Sequence, residues 1–350
     1  MGSKLTAMAA AIATAAVLAA PAGAKGPKTD LEFLGQAIVP SGTPFAGTRI
    51  GGLSSITYDA RRGVYYAVSD DPADVRYYTL RLDPAGPSVT FDAVTRLRAP
   101  GGGTYAASSL DPEGLALTKD HELIFTSEGI ANTLVAPFVR RYALDGTFIA
   151  DLPVPEAFDP NAEHPRGVRQ NLGFESAGVA PNGRFLFTAT ENALVQDGPA
   201  ATLATGSPAR ILRYQLKSGR LDRQWTYVTD PVAEPPNPPT AFSVNGVVEL
   251  LPLNNRFLLA MERSFSVGAP DTGNTIKIYE VSLPGRGGTA TKELVLDLDD
   301  LEIPLDNVEG MTFGPRLPDG RRSVVLVSDD NFAASQFTQF LVFAIPKKKR

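Results

Sequence analysis

The sequence predicts an all-β fold, a single β-propeller of five four-stranded blades, from three observations. Short apolar runs alternate with turn residues along the chain, which contains 32 glycines and 29 prolines among its 350 residues. The sequence has no long amphipathic helical pattern. One hairpin pattern recurs five times at spacings near 60 residues, as in propeller blades. Six blades are the alternative, because the blade length varies and the third repeat contains an insertion.

Each copy of the hairpin starts with a small or acidic residue, continues through two apolar strands around a polar turn, and ends in polar or acidic residues. The copies occupy residues 51–71, 111–129, 173–192, 245–264 and 307–331. Their anchor residues are Ser54, Glu113, Glu175, Glu249 and Glu309, which are 59, 62, 74 and 60 residues apart. The segments before the first anchor and after the last one together supply about one more repeat length, so the ring of blades closes.

Two further strands are predicted after each of the first four hairpins. They lie at residues 77–82 and 88–97, 138–144 and 148–154, 210–216 and 224–229, and 275–281 and 293–298. After the fifth hairpin the chain offers only residues 338–345. The missing strand of the last blade is therefore predicted at residues 31–39, which would join the two ends of the propeller.

The first 24 residues resemble a secretory signal peptide. Lys4 supplies positive charge, residues 5–19 are apolar, and residues 22–24 form an A-x-A cleavage site. We therefore predict a signal peptide, residues 1–24, and one propeller domain, residues 25–350. The mature protein is expected to be exported, either periplasmic or secreted, and monomeric. No other apolar run is long enough for a membrane span.

Composition excludes several kinds of chemistry. The net charge of −5 argues against nucleic acid as a partner. The absence of cysteine excludes disulfides, thiol nucleophiles and thiolate-bound metals. Two histidines, His121 and His164, are too few for a multi-histidine zinc site, and no G-x-S-x-G motif is present. Chemistry in this chain has to rely on carboxylates, arginines and asparagines, with or without a hard cation.

Acidic residues stand at both ends of the hairpins. Because the strands of a hairpin are antiparallel, the start of the first strand lies beside the end of the second, and these acids should meet at one mouth of the central channel. The predicted metal ligands are Asp70, Glu128, Glu249, Glu262, Glu309, Asp329 and Asp330. The predicted catalytic residues are Glu113, Glu175 and Glu191, with Glu175 or Glu191 as general base. A ligand set made only of oxygen favours Ca²⁺, with Mg²⁺ or Mn²⁺ as alternatives.

Arginines and one asparagine near the third and fourth hairpins complete the predicted site. Arg169, Arg210, Arg263 and Asn171 are expected to bind the substrate, because guanidinium groups bind phosphate or carboxylate in a bidentate manner. Each acid has a structural alternative, since propeller hairpins also use acidic side chains as acceptors for turn amides. For Arg263 the alternative is an ion pair with the acids.

The chain resembles the phytase-like family of exported bacterial propellers, also described by an "esterase-like activity of phytase". The resemblance is carried by residues 111–117 (DPEGLAL), 166–192, 209–216, 245–253 (NGVVELLPL), 307–315 (NVEGMTFGP) and 325–332 (VLVSDDNF). It extends over about residues 51–345. Membership would imply hydrolysis of phosphate or other esters, by an analogy of fold and acidity with calcium-dependent propeller phytases.

Three functions are compatible with these observations. The first hypothesis is a metal-dependent hydrolase of a small-molecule phosphate ester, with water activated at the channel mouth. The second is a propeller lactonase or phosphotriesterase, whose site would also consist of channel carboxylates and asparagines around Ca²⁺. The third is a propeller that binds without catalysis and holds a structural ion.

Overall fold

The computed structural model describes residues 29–347 and confirms the five-bladed propeller. Residues 1–28, with the predicted signal peptide, and residues 348–350 lie outside the described part of the chain. Three short 3₁₀ helices, Ala131–Thr133, Glu156–Phe158 and Leu298–Leu301, are the helical elements of residues 29–347. Within that range, no helix has the length and apolar character needed to cross a membrane.

Every blade is a four-stranded antiparallel sheet. The N-terminal segment forms β1 (Glu32–Pro40), β2 (Pro44–Phe45) and β3 (Thr48–Arg49). Blade 1 contains β4 (Leu53–Asp59), β5 (Val64–Ser69), β6 (Arg76–Asp83) and β7 (Ser88–Arg96). Blade 2 contains β8 (Pro112–Leu117), β9 (Glu122–Ser127), β10 (Phe138–Ala143) and β11 (Phe148–Leu152). Blade 3 contains β12 (Gly178–Val179), β13 (Phe185–Ala189), β14 (Pro208–Gln215) and β15 (Arg220–Val228). Blade 4 contains β16 (Ser243–Pro252), β17 (Phe257–Ser266), β18 (Asn274–Ser282) and β19 (Thr291–Asp297). Blade 5 contains β20 (Asn307–Arg316), β21 (Arg322–Asp329) and β22 (Phe337–Ile345).

Strand β1 completes blade 5, as predicted. It pairs antiparallel with β22, from Glu32 opposite Ala344 to Pro40 opposite Phe337. Strand β22 is buried on both faces, and without β1 its outer edge would expose a row of unpaired backbone groups. The pairing of the two chain ends therefore holds the ring closed.

The core consists of five apolar layers, one between each pair of neighbouring blades. Between blades 1 and 2, for example, Tyr77 packs against Phe125, with ring centroids 6.0 Å apart. The innermost strands, β4, β8, β12, β16 and β20, border one another around the central channel. Each blade depends on both neighbours to bury its faces, which makes the ring one packing unit.

The innermost pair of every blade has a one-residue bulge near the start of its inner strand. The register shifts lie between Leu53 and Ser55, Pro112 and Leu115, Val247 and Glu249, and Val308 and Gly310. In blade 3 the extra residue falls between Phe174, which bridges Thr190, and Gly178, which pairs with Phe187. That inner strand is shorter than the repeat predicts. A bulge changes the direction of the side chain of its extra residue, and the five blades have such bulges at equivalent positions around the central axis.

Candidate active site

Three sets of equivalent residues surround one end of the channel, which we call the acidic mouth. The first set, at the end of the second strand of each blade in blade order, consists of Asp70, Glu128, Glu191, Arg263 and Asp329. The second set, at the start of the first strand of each blade, consists of the residues that pair with the first set: Gly52, Asp111, Gly173, Gly246 and Asn307. The third set, at the bulge of each inner strand, consists of Ser54, Glu113, Glu175, Val248 and Glu309. The sequence predicted that acids from the hairpins meet at this mouth, and in four of the five blades at least one of the predicted acids lines it.

Blade 4 departs from the predicted pattern by one residue. Its bulge residue is Val248 rather than Glu249, and its second strand presents Arg263 at the mouth rather than Glu262. Because side chains alternate between the two faces of a strand, a shift of one residue sends both glutamates elsewhere. The prediction that Glu249 and Glu262 lie among the metal ligands is therefore not supported by their placement.

Glu249 lies below the acidic mouth and crosses the channel. Its carboxyl group accepts hydrogen bonds from the Ser55 hydroxyl (2.6 Å) and from the backbone N–H groups of Ala177 (3.2 Å) and Leu250 (2.9 Å). These donors belong to the innermost segments of blades 1, 3 and 4. Burial raises the pKa of Glu249 to about 8, although the hydrogen bonds oppose the shift. Its role is to join inner strands across the axis.

Glu262 lies between blades 3 and 4. It accepts hydrogen bonds from the Tyr227 hydroxyl (2.6 Å), the Asp230 N–H (2.8 Å) and the Asn245 side-chain amide (2.9 Å), and it pairs with the ammonium group of Lys292. Every oxygen of this carboxylate therefore has a donor. Such a buried, fully paired acid stabilises the blade interface and has no free coordination position.

The acidic mouth opens into a cavity of about 600 Å³. Its acidic lining residues include Asp70, Asp111, Glu113, Glu175, Glu191, Glu309 and Asp329. Asp111 was not predicted as a site residue. It stands two residues before Glu113 in the DPEG motif, at the position that Asn307 occupies in blade 5, so the repeat pattern contained the information.

Two groups of three acids at this mouth have a geometry that suits a metal ion. In the group of Asp111, Glu113 and Glu128, and in that of Glu128, Glu175 and Glu191, one oxygen of each residue lies within 4.8 Å of the others. Glu128 belongs to both groups. Its Oε2 and the Oε1 of Glu191 are buried without a hydrogen-bond partner in the structure. Buried carboxylate oxygens of this kind need a donor or a cation, and oxygen-only sets suit Ca²⁺ or Mg²⁺.

The pKa values of these acids reflect the clustering. Burial and the Glu175 charge raise the pKa of Glu113 well above its usual range, and burial and the Glu128 charge do the same for Glu175. Burial raises the pKa of Glu191 to about 7, against the opposing effect of Arg263. Like charges held in a dry site either keep protons or attract a cation.

Arg263 is the only cation among the described residues that line this cavity. Its Nη2 donates to Glu309 Oε1 (2.9 Å) and lies 3.6 Å from Glu191 Oε1. Burial alone would lower the pKa of Arg263, but the charges of Glu191 and Glu309 reverse the effect and raise it. The side-chain amide of Asn307 also donates to Glu309 Oε1 (2.9 Å), so Glu309 is held from two sides.

The other predicted site residues are divided between the mouth and its surroundings. Asn171 lines the cavity at its exposed rim. The Asp330 carboxylate instead accepts from the backbone N–H groups of Gly52 (3.0 Å) and Phe332 (3.1 Å) and does not line the cavity. The structure does not bring Arg169 and Arg210 to the mouth.

Local partners explain where these two arginines are. The Arg169 guanidinium donates to the carbonyl group of Ala193 (3.1 Å). Arg210 forms a bidentate ion pair with Asp197, with Nη2 2.7 Å from Oδ1, beside a smaller pocket on the outer part of blade 3. Both arginines are used within their own blade, and neither is left to bind a ligand in the channel.

One wall of the cavity is apolar, which the repeat pattern did not indicate. Phe242, Val244 and Phe265 of blade 4 line the cavity together with the acids. The two phenylalanine rings lie 6.3 Å apart, and Phe242 is 62% exposed. The exposed Phe242 and the half-buried Phe265 beside it are available for contact with an apolar part of a ligand.

Several solved structures are similar to this chain at a low level. An endo-arabinase from Bacteroides thetaiotaomicron VPI-5482 is 13% identical, with 89% of this chain and 98% of that chain covered and a TM-score of 0.47. The Dos1 propeller is 6% identical, with coverages of 87% and 71% and a TM-score of 0.39. A Lactobacillus plantarum protein is 13% identical, with a TM-score of 0.37; 79% of this chain is covered, but only 64% of that one. Similarity at this level carries no functional argument.

Sequence comparison assigns the family. No curated protein is significantly similar to this chain. The profile of the family described as "Phytase-like: Esterase-like activity of phytase" matches residues 48–332, which contain the inner hairpins of all five blades. The match spans most of the chain and includes every residue of the acidic mouth. The chain therefore belongs to the phytase-like family of β-propellers, whose description indicates at a coarse level a phytase-like hydrolase.

Proposed function

We propose that the protein is a metal-dependent hydrolase of a small-molecule phosphate ester, with its active site at the acidic mouth. The observation that carries the proposal is the pair of acid groups that share Glu128, with buried oxygens that lack hydrogen-bond partners. Structural acids elsewhere in this chain, such as Glu249 and Glu262, have donors on their oxygens. The family description adds support for ester hydrolysis.

The residues present fit a hard divalent cation, with Ca²⁺ as the first choice and Mg²⁺ or Mn²⁺ as alternatives. Asp111, Glu113 and Glu128 would hold the ion, and Glu175 and Glu191, which are grouped with Glu128, remain for proton transfer. A bound divalent cation would supply Lewis acidity toward the ester oxygen and toward water.

Glu191 is the proposed general base, and Glu175 is the alternative within the same group. Since the pKa of Glu191 is raised to about 7, its carboxyl group exchanges a proton near neutral pH. Its deprotonated form takes a proton from the attacking water as the new bond to phosphorus forms. The same proton can then go to the departing alkoxide as the ester bond breaks, so that the alcohol leaves neutral.

Arg263 is the proposed anchor for the substrate. It lies 2.9 Å from Glu309 and 3.6 Å from Glu191, and therefore beside the proposed base. A guanidinium group can bind two phosphoryl oxygens at once and would hold the phosphorus atom near that base. Asn171 at the rim offers a neutral hydrogen-bonding group.

A second candidate is hydrolysis of an ester that carries little charge, such as a lactone, a phosphotriester or an aryl ester. Two observations favour it: Arg263 is the only cation in the described cavity lining, and Phe242 and Phe265 form an apolar wall there. A polyanionic substrate would meet more carboxylates than cations. Both candidates use the same acids and differ in what contacts Arg263 and the aromatic pair.

The proposal includes export, to the periplasm or the medium, because residues 1–24 resemble a signal peptide. Fusing these residues to a reporter that is active only after export tests this part. Export of the reporter would support it, and retention in the cytoplasm would refute it.

The enzymatic proposal is tested with purified protein. Metal content is measured by elemental analysis, and turnover of nitrophenyl phosphate, nitrophenyl acetate, a phosphotriester and a lactone is measured with and without chelator. We expect chelator to abolish turnover and Ca²⁺ to restore it, and Glu191→Gln to remove turnover. The matched control is Glu163→Gln, which changes an exposed glutamate that does not line the cavity. Bound metal without turnover of any substrate would instead indicate a binding propeller with a structural ion.

A further inference from the structure

The opposite end of the channel contains a second cavity, of about 840 Å³, which the proposed chemistry does not use. It is formed where the inner strands end, and its apolar wall includes Ile56, Leu115, Leu117, Val179, Leu251 and Phe313. Ala177 and Leu250 also line it, and their backbone N–H groups donate to the Glu249 carboxyl group. Glu249 and its donors therefore separate this cavity from the acidic mouth.

The rim of the second cavity is cationic. Arg61, Lys119, Arg316 and Arg322 line it, and none of their side chains forms an ion pair within residues 29–347. The acid in the same lining, Asp59, is already engaged by neighbours: its Oδ2 lies 3.1 Å from Arg62 and 3.4 Å from His121. Unpaired positive charge is thus concentrated at one end of a chain whose net charge is −5.

Arg316 and Arg322 are direct neighbours across β20 and β21, where they form a register pair. The Arg322 guanidinium lies 3.4 Å from the centroid of the Phe313 ring, and Arg316 donates to the Gly320 carbonyl group (3.0 Å). Burial and the neighbouring Arg316 charge lower the pKa of Arg322 to about 10. Two adjacent cations without a carboxylate repel each other, and a bound anion would relieve this repulsion.

We propose that this second cavity binds an amphiphilic anion, that is, a carboxylate or phosphate head on an apolar chain. The head would meet Arg316 and Arg322 at the rim, and the chain would lie against the apolar wall that ends at Glu249. A planar guanidinium stacked on an aromatic ring is already oriented for bidentate contact with such a head. The cavity volume lies in the range of small-molecule sites. This inference does not depend on the proposed hydrolase activity.

Calorimetric titration of the full-length purified protein tests the proposal. The probes are decanoate and decyl phosphate, with decanol, acetate and inorganic phosphate as controls for the chain and the head. We expect at least one of the two amphiphilic anions to bind with a stoichiometry of one and all three controls to bind much more weakly. Arg322→Gln should weaken binding about tenfold or more, while Arg220→Gln, an exposed arginine on β15, should not.

Additional variants keep the result decisive. If Arg322→Gln does not fold, Arg316→Gln replaces it, because Arg316 is exposed. Glu191→Gln and chelator should leave binding unchanged, which distinguishes this cavity from the acidic mouth. Equal binding of decanol and decanoate, full binding by both arginine variants, loss of binding in Glu191→Gln, or no binding of either anion would each overturn the proposal. Comparison of the affinities of decanoate and decyl phosphate shows whether the preferred head is a carboxylate or a phosphate.

Discussion

Two substitutions of Glu249 separate a structural acid from a metal ligand. Because burial raises the pKa of Glu249 to about 8, the side chain is largely protonated at pH 7 and resembles glutamine in shape and charge. In Glu249→Gln the amide oxygen can still accept from the N–H groups of Ala177 and Leu250, while the amide nitrogen can donate to the Ser55 hydroxyl. Glu249→Ala removes all of these acceptors at once.

The expected magnitudes follow from the hydrogen bonds. Glu249→Gln should change the free energy of unfolding by less than about 1 kcal/mol, because every buried donor keeps a partner. Glu249→Ala leaves two buried N–H groups and a hydroxyl group unpaired and opens a void between the inner strands. At roughly 1–3 kcal/mol for each unsatisfied group, with partial relief by entering water, the loss should be about 3–5 kcal/mol.

Urea unfolding at pH 7 with chelator, followed by Ca²⁺ titration of each folded variant, measures both quantities. We expect Glu249→Gln to bind Ca²⁺ as tightly as the unmodified protein. The reasoning fails if Glu249→Gln is as unstable as Glu249→Ala, or if it loses Ca²⁺ binding while remaining folded. The second result would restore Glu249 to the predicted set of metal ligands.

Four further predictions concern the acidic mouth and its surroundings. Burial raises the pKa of Glu191 from 4.5 to about 7, so the folded protein holds a proton that the unfolded chain releases between these values. The contribution of Glu191 to the free energy of unfolding of chelator-treated protein should therefore fall by about 2 kcal/mol between pH 5.5 and 8, and Glu191→Gln should reduce the measured pH dependence by this amount. Gly246→Ala would place a Cβ atom 2.2 Å from Glu191 Cγ, and we expect weaker Ca²⁺ binding by calorimetry and a stability loss of about 1–3 kcal/mol. Arg263→Lys should raise KM for nitrophenyl phosphate about tenfold and leave KM for nitrophenyl acetate unchanged; equal changes for both esters would contradict an anchor role. Glu262→Gln should lower the urea midpoint and leave Ca²⁺ affinity unchanged, since its partners all lie between blades 3 and 4.

Local information was enough to predict the blades. An antiparallel hairpin depends on an apolar strand, a turn and a second apolar strand that are adjacent in the chain, so the repeats indicated both the number of blades and the positions of most strands. The N-terminal strand could also be predicted, because the last blade lacked a fourth strand and residues 31–39 were the remaining apolar segment. Its observed bounds, Glu32–Pro40, differ by one residue.

The positions of individual side chains required the tertiary structure. In NGVVELLPL nothing marks which residue occupies the bulge, and the structure places Val248 there rather than Glu249. Arg169 and Arg210 stand close in sequence to the acidic motifs. Within blade 3, however, Arg169 donates to backbone carbonyl groups and Arg210 donates to Asp197. Partners such as these come from other strands or loops and cannot be identified from spacing along one hairpin.

The sequence by itself determined a five-bladed ring and an acidic mouth, because both follow from a pattern repeated within short segments. Only the tertiary structure decided which acids share the mouth, that Arg263 replaces a carboxylate in blade 4, and that unpaired cations collect at the opposite end. The physical reason is the two-residue period of a strand. A single inserted residue reverses the face that a side chain occupies, and packing against the neighbouring blades decides where that residue is inserted.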